Sequence, residues 1–237
     1  MNTFSLRQTK RTVEVYLKIF HESGAIWAHD SNPNRPHIII GTSGQHTDTY
    51  FKSEYITRDS YLLDEICSDL VVLLKREGVN LVFVDMVVGI AMGSITLADG
   101  IARHMTLERD SEHTDHCLTA YVEKIGEGKD KRVRFNKTTI RMGMRTLICD
   151  DVITTGSSVV STEDTVIKNG GNALPYILCL VNRSGLTNIG GKKILSLVDY
   201  PMSSWSPELC PLCKRGSKAL RPEEGNNWSY LNRIYME

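Results

Sequence analysis

Leu147-Ile-Cys-Asp-Asp-Val-Ile-Thr-Thr-Gly-Ser-Ser158 sets an apolar run against two adjacent carboxylates, then two threonines, a glycine and two serines. The periodicity beyond it, with Val159, Val160, Val166 and Ile167 apolar, predicts an amphipathic helix that Gly170-Gly171 end. A buried parallel strand thus delivers its C-terminal end into a turn at a helix mouth. Ser157 or Ser158 is expected to cap the helix, whose first N–H groups lack intrahelical acceptors and carry the positive end of the helix dipole. An anion suits that mouth. Asp150 and Asp151 would repel a bare phosphate, so the expected ligand has phosphate at one end and hydroxyls or a metal at the other, as a sugar phosphate does. The plain alternative is a strand ending in solvated acids before an ordinary helix.

Working outward, Leu81 to Val88 is almost unbroken apolar sequence and predicts a second buried strand. The loop after it, Gly89-Ile90-Ala91-Met92-Gly93-Ser94, opens a helix with Ile95, Leu97, Ala98 and Ile101 on one face. Glycines there let backbone N–H groups approach an anion, although tight strand-to-helix packing also accounts for them. Cys117 to Val122, Arg132 to Phe135 and Pro175 to Val181 read as further strands, and Asp59 or Ser60 caps a helix running to about residue 77. Val13, Tyr16, Leu17 and Phe20 give a short helix over 12–22 that Gly24 stops. Alternating strands and helices predict an open parallel sheet with helices on both faces, its ligand beyond the carboxyl ends of the strands. The strand ends near Val88, Asp151 and Arg183 then share one rim.

The order of apolar residues, two acids, two apolar residues, Thr-Thr-Gly and small hydroxyl residues resembles the phosphoribosyl diphosphate (PRPP) motif of type I phosphoribosyltransferases. Within that family the chain is similar to orotate phosphoribosyltransferases, from roughly residue 12 to 222 by the motif spacings. The resemblance implies a single domain over 1–237, with a core at about 60–200 and a small hood from about 1–58 and 201–237. It implies transfer of phosphoribosyl from PRPP to orotate with Mg2+ as cofactor, giving orotidine 5-phosphate and diphosphate, in a homodimer. Asp150 and Asp151 would hold the ribose hydroxyls, with Mg2+ near them but held mainly through PRPP. Thr154, Thr155, Gly156, Ser157 and Ser158 would hold the 5-phosphate, with Val152 and Ile153 in the same PRPP-binding run, and Ile90, Ala91, Met92, Gly93 and Ser94 would bind the diphosphate. Asp150, Asp151 and Lys124 are the expected catalytic groups, Lys124 belonging to a loop over 123–131 that resembles a lid in the family.

Two further segments carry the resemblance. Gln45 to Lys52 is polar at almost every position and taken alone reads as an exposed hairpin with His46 and Lys52 solvated. Its Ser-Gly, His and Tyr-Phe-Lys pattern is similar to the segment that walls the base site in orotate enzymes, implying base contacts from His46, Tyr50 and Lys52. Arg183, after the strand that ends near Val181, has the planar fork that grips a carboxylate in two places, and orotate is a pyrimidine bearing a carboxylate. A phosphoribosyltransferase for another base shares the PRPP features, and a non-catalytic PRPP- or nucleotide-binding regulator of the same fold is a third reading.

Cys210-Pro-Leu-Cys213 resembles half of a zinc knuckle. A closed site needs two more ligands from His113, His116, Cys117 or a second subunit; a tight turn with free thiols is the simpler alternative. Cys67, Cys117, Cys149 and Cys179 lie in apolar patterns and read as reduced core residues. Lys plus Arg (28) balance Asp plus Glu (28), so the basic excess of a nucleic-acid binder is missing. No stretch reaches the length of a membrane span and the opening residues lack an apolar leader core, so a cytoplasmic location without membrane partners is expected.

Overall fold

The structure, a computed structural model, describes residues 11–109, 115–126, 132–135 and 139–233. In chain order its elements are α1 (Val13–Glu22), β1 (Ile26–Ala28), β2 (His37–Ile39), β3 (His46–Thr47), β4 (Thr49–Phe51), α2 (Glu54–Thr57), α3 (Ser60–Arg76), β5 (Met86–Ile90), α4 (Ile95–Leu107), β6 (Leu118–Ile125), β7 (Arg132–Phe135), β8 (Arg145–Ile153), α5 (Ser157–Lys168), β9 (Asn172–Asn182), β10 (Asn188–Ile189), β11 (Lys192–Asp199), α6 (Pro211–Lys214), β12 (Ala219–Leu220) and α7 (Asn227–Leu231). They fall into two compact units, one of residues 1–19 and 53–200, the other of 20–52 and 201–237. Among the described residues no helix is long and apolar enough to cross a membrane.

The first unit is built on a seven-stranded sheet in the order β10-β11-β9-β8-β5-β6-β7. Its five middle strands run parallel, and β10 and β7 close the edges antiparallel. Because side chains alternate along a strand, β5 sends Met86, Val88 and Ile90 to a cluster with Val159 and Val166 of α5. Gly89 between them faces α4, where a Cβ would stand 3.0 Å from that of Ala98. Helices therefore cover both faces, as the run of apolar strands requires. Asp59 caps α3 as expected, accepting hydrogen bonds from the Tyr61 and Leu62 amides at 3.1 Å.

Three expectations need correction. The apolar run at 81 begins as a single 3-10 turn over Leu81–Phe83, because the Asn80 side chain accepts from the Val82 amide at 3.0 Å; the strand starts at Met86 and continues to Ile90. Glu123, Lys124 and Ile125, expected in a loop, extend β6 and pair with Arg134, Val133 and Arg132 of β7; residues 127–131 of that loop lie outside the described residues. The cap of α5 is Gly156 and not a serine.

The second unit holds two small sheets, β1 with β4 and β12-β2-β3. Gln45 to Lys52 is no exposed hairpin. Its first half pairs with β2 and its second with β1, so His46 and Thr47 are buried. Trp27, Ile38 and Leu231 form a small apolar cluster with Tyr50 and Trp228 against it.

Candidate active site

The parallel strands β5, β8 and β9 end side by side, and the register pairs Gly89 with Cys149 and Ile153 with Asn182. That brings the 89–94 loop, the acid pair and Arg183 to one rim, as the sequence implied. Arg183 is itself buried, and its amide donates to the Ile153 carbonyl at 2.9 Å.

At the centre stand Asp150 and Asp151. Asp150 is buried, its Oδ1 accepting from Ser94 Oγ and from the Asp151 amide, both at 3.1 Å. Burial first, then the neighbouring Asp151 charge, pushes the Asp150 carboxyl well above its usual range, while the Lys124 ammonium opposes that shift. Lys124, exposed near the end of β6, is thus electrostatically coupled to the acid pair. The Asp151 carboxylate accepts from Ser53 Oγ. Ser53 was not foreseen: it precedes the short helix α2, and only the fold relates it to an acid 98 residues away.

The loop before α4 fits closely against these acids. A Cβ on Gly89 would lie 2.5 Å from the Ser94 carbonyl oxygen, and one on Gly93 would collide with the Asp151 carboxylate. Only residues without side chains allow that approach. Met92 is exposed and Ser94 fully buried, so the loop meets the acids with the Gly93 backbone and the Ser94 hydroxyl.

Three residues past the acids, Thr154 and Thr155 are exposed and Gly156 adopts φ 78°. A side chain there would also run into Ile189, 2.5 Å away. Thr155 Oγ1 lies 3.1 Å from Ser157 Oγ, placing two hydroxyls across the open mouth of α5. The first-turn N–H groups have no helical carbonyl to bond, so the mouth presents N–H donors between hydroxyl walls, an arrangement suited to an anion.

Three residues expected at a base site lie in the second unit. The Tyr50 hydroxyl donates to Glu223 Oε1 at 2.7 Å, and Lys52 Nζ stands 4.7 Å from the centre of the Trp228 ring. His46 is 6% exposed, and its Nδ1 lies 3.0 Å from His37 Nε2 and 3.2 Å from Cys213 Sγ.

A strand-end acid pair, a glycine loop against it and an open helix mouth three residues on suit a phosphorylated sugar. The phosphoribosyl transferase domain family matches residues 83–186, the span from β5 to just past β9. The chain belongs to the type I phosphoribosyltransferase family. Among curated relatives it is similar to the orotate phosphoribosyltransferase of Heliobacterium modesticaldum, 30% identical over 181 residues that cover 76% of this chain and 86% of the relative. The orotate phosphoribosyltransferase of Caldicellulosiruptor bescii is 27% identical over 209 residues, 88% and 96% of the two chains. In fold the chain resembles orotate phosphoribosyltransferase from Aeropyrum pernix, with TM-score 0.56 at 23% identity over 76% of this chain and 90% of that one. Adenine phosphoribosyltransferase from Rhodothermus marinus gives 0.53 at 19% identity over 78% and 98%.

Proposed function

We propose that this protein transfers the phosphoribosyl group of PRPP to orotate, forming orotidine 5-phosphate and releasing diphosphate. The observation that carries the reading is the Asp150–Asp151 pair, bonded to Ser94 and Ser53 and followed by the α5 mouth. The mouth, with Thr154, Thr155, Ser157 and Ser158, takes the 5-phosphate, and the carboxylates take the ribose hydroxyls. The backbone of 90–94 takes the diphosphate.

Bond cleavage at ribose C1 leaves positive charge on the sugar and negative charge on the diphosphate. A carboxylate fixed beside the ring stabilises the first, and the Lys124 ammonium the second, without reorganisation at the moment of reaction. Arg183 is proposed to hold the orotate carboxylate through paired N–H donors. Hard oxygen donors in an acidic pair suit Mg2+, and here Asp150 is held toward its neutral form by burial and by Asp151, a cost that a cation would relieve. Mg2+ would be held mainly through PRPP, with Asp150 and Asp151 as its neighbouring protein carboxylates, and when bound would supply charge neutralisation for the diphosphate. A homodimer and a cytoplasmic location complete the proposal.

The test is loss of orotate absorbance with PRPP and Mg2+, repeated with a panel of purine and pyrimidine bases. Orotate turnover far above the other bases is expected. Turnover of another base alone would reassign the substrate, and PRPP binding without turnover of any base would make the chain a regulator.

A further inference from the structure

The second unit brings two histidines and two cysteines into one cluster. His37 Nε2 lies 3.5 Å from both Cys210 Sγ and Cys213 Sγ, and 3.0 Å from His46 Nδ1; His46 Nδ1 in turn lies 3.2 Å from Cys213 Sγ. The four atoms all fall within 4.8 Å of one another, and all four residues are at least largely buried. Zn–S bonds of about 2.3 Å and Zn–N bonds of about 2.05 Å, set tetrahedrally, give edges of about 3.3–3.8 Å. Three nitrogen–sulfur separations, at 3.5, 3.5 and 3.2 Å, fall in or just below that range, and the nitrogen–nitrogen separation of 3.0 Å is a few tenths of an ångström short of it, so small adjustments would seat one ion in their midst.

We propose that His37, His46, Cys210 and Cys213 form a closed structural zinc site that ties the two chain segments of the second unit together. The two missing partners of the Cys-Pro-Leu-Cys turn are therefore neither His113, which lies outside the described residues, nor His116 or Cys117, but two histidines on adjacent strands β2 and β3. Two thiolates and two imidazoles make a donor set that selects zinc over the oxygen-loving Mg2+.

The surroundings orient the ligands. Ser217 Oγ donates to the Arg35 carbonyl at 2.6 Å, so at 2.9 Å from His37 Nδ1 it can only accept. His37 therefore carries its proton on Nδ1 and aims the Nε2 lone pair into the cluster, the outer-shell arrangement that fixes a ligating imidazole. Cys210 caps the single turn of α6, and the chain leaves it through Gly216 at φ 93° with the Gly216 amide bonded to the Cys213 carbonyl at 3.0 Å. Both sulfurs thus point the same way.

The reason for a metal here is the thinness of the packing. The unit's sheets have two or three strands of two or three residues each, and its apolar clusters are small. Small units of this kind commonly need a metal or disulfide to stay folded. Ligands drawn from β2, β3 and α6 close that unit across more than 160 residues of sequence.

The test uses the full chain purified without chelator, with no substrate present, so its outcome is independent of the transferase reading. One zinc per chain by atomic emission is expected, and Co2+ replacing it should give visible bands of tetrahedral cobalt with thiolate charge-transfer absorption. Cys213→Ser should lose the metal, while Cys149→Ser, a buried cysteine outside the cluster, should keep it. Ser217→Ala should retain zinc but yield it to a competing chelator with about tenfold weaker affinity. Zinc-free wild-type protein that takes up no cobalt, or a Cys210–Cys213 disulfide in the purified chain, would overturn the proposal, and neither result depends on a variant folding.

Discussion

Gly93→Ala places one methyl group against the acid pair. The added Cβ would collide with Asp151 Oδ2 and stand 2.6 Å from the carboxyl carbon, where ordinary contact begins at 3.4 Å, so loop or carboxylate must give way by at least about 0.8 Å. Both are proposed to hold PRPP, one at its diphosphate and the other at its ribose. A displacement near 1 Å at a reacting centre costs on the order of a hundredfold in rate, or about 2.7 kcal/mol of transition-state stabilisation. Stability should change far less, because Asp151 is only half-buried and the loop can shift toward solvent. The assay is kcat/KM for PRPP from orotate absorbance, beside a thermal melt. A double-mutant cycle sharpens it: in an Asp151→Ser background, where the clash is relieved, adding Gly93→Ala should cost little more. A single variant within threefold of the wild-type rate would refute the argued fit between loop and acid, as would full additivity in the cycle.

Asp151→Asn keeps the size of the side chain but removes its charge, so turnover should fall by several orders of magnitude while the circular dichroism spectrum stays native; near-normal turnover would contradict its role. Arg183→Ala should raise KM for orotate by roughly 30–100-fold, the equivalent of about 2–3 kcal/mol of charge-assisted hydrogen bonding, and leave KM for PRPP within a few-fold; equal changes would remove the carboxylate clamp. At the other end of the sheet Arg145 grips Asp85 through Nε and Nη2 at 2.9 and 2.6 Å, with the Arg145 amide adding a third bond at 2.7 Å. The Arg145 bond holds the Asp85 carboxyl below its usual 3.8. Its stabilisation is therefore complete above that value and lost as pH falls through the lower folded value. Asp85→Asn should cost about 1 kcal/mol in urea unfolding near pH 7, given partial exposure of the pair, and the difference should vanish toward about pH 2; a difference independent of pH would exclude the ion pair as its source.

Periodicity made the sheet and its rim legible because each strand in the middle is covered on both faces and reads as continuous apolar sequence. It failed where side chains act on the backbone or where charge is buried. Asn80 turns the start of the Leu81 run into a 3-10 turn and leaves Phe83 exposed. The strand Lys192–Asp199 was missed because it opens on two lysines. Lys192 is nonetheless buried, held by Glu163 at 2.5 Å. The acid pair and the helix mouth were readable because each lies within a dozen consecutive residues. Ser53 and the histidine partners of Cys213 were not, since their contacts cross 98 to 176 residues and no local pattern encodes them.

The parallel pairing of His37 and Ile38 with Ala219 and Leu220 sets an order of events during synthesis. When residues 20–52 leave the ribosome their strand partner has not been made, and the intervening 53–200 can fold as the nascent chain lengthens. The early segment must wait, with Trp27 and Ile38 unsheltered, until residues beyond 200 emerge. Its vulnerability to proteases and chaperones is thus greatest before those residues are made, and a nascent chain stalled short of them would leave it open.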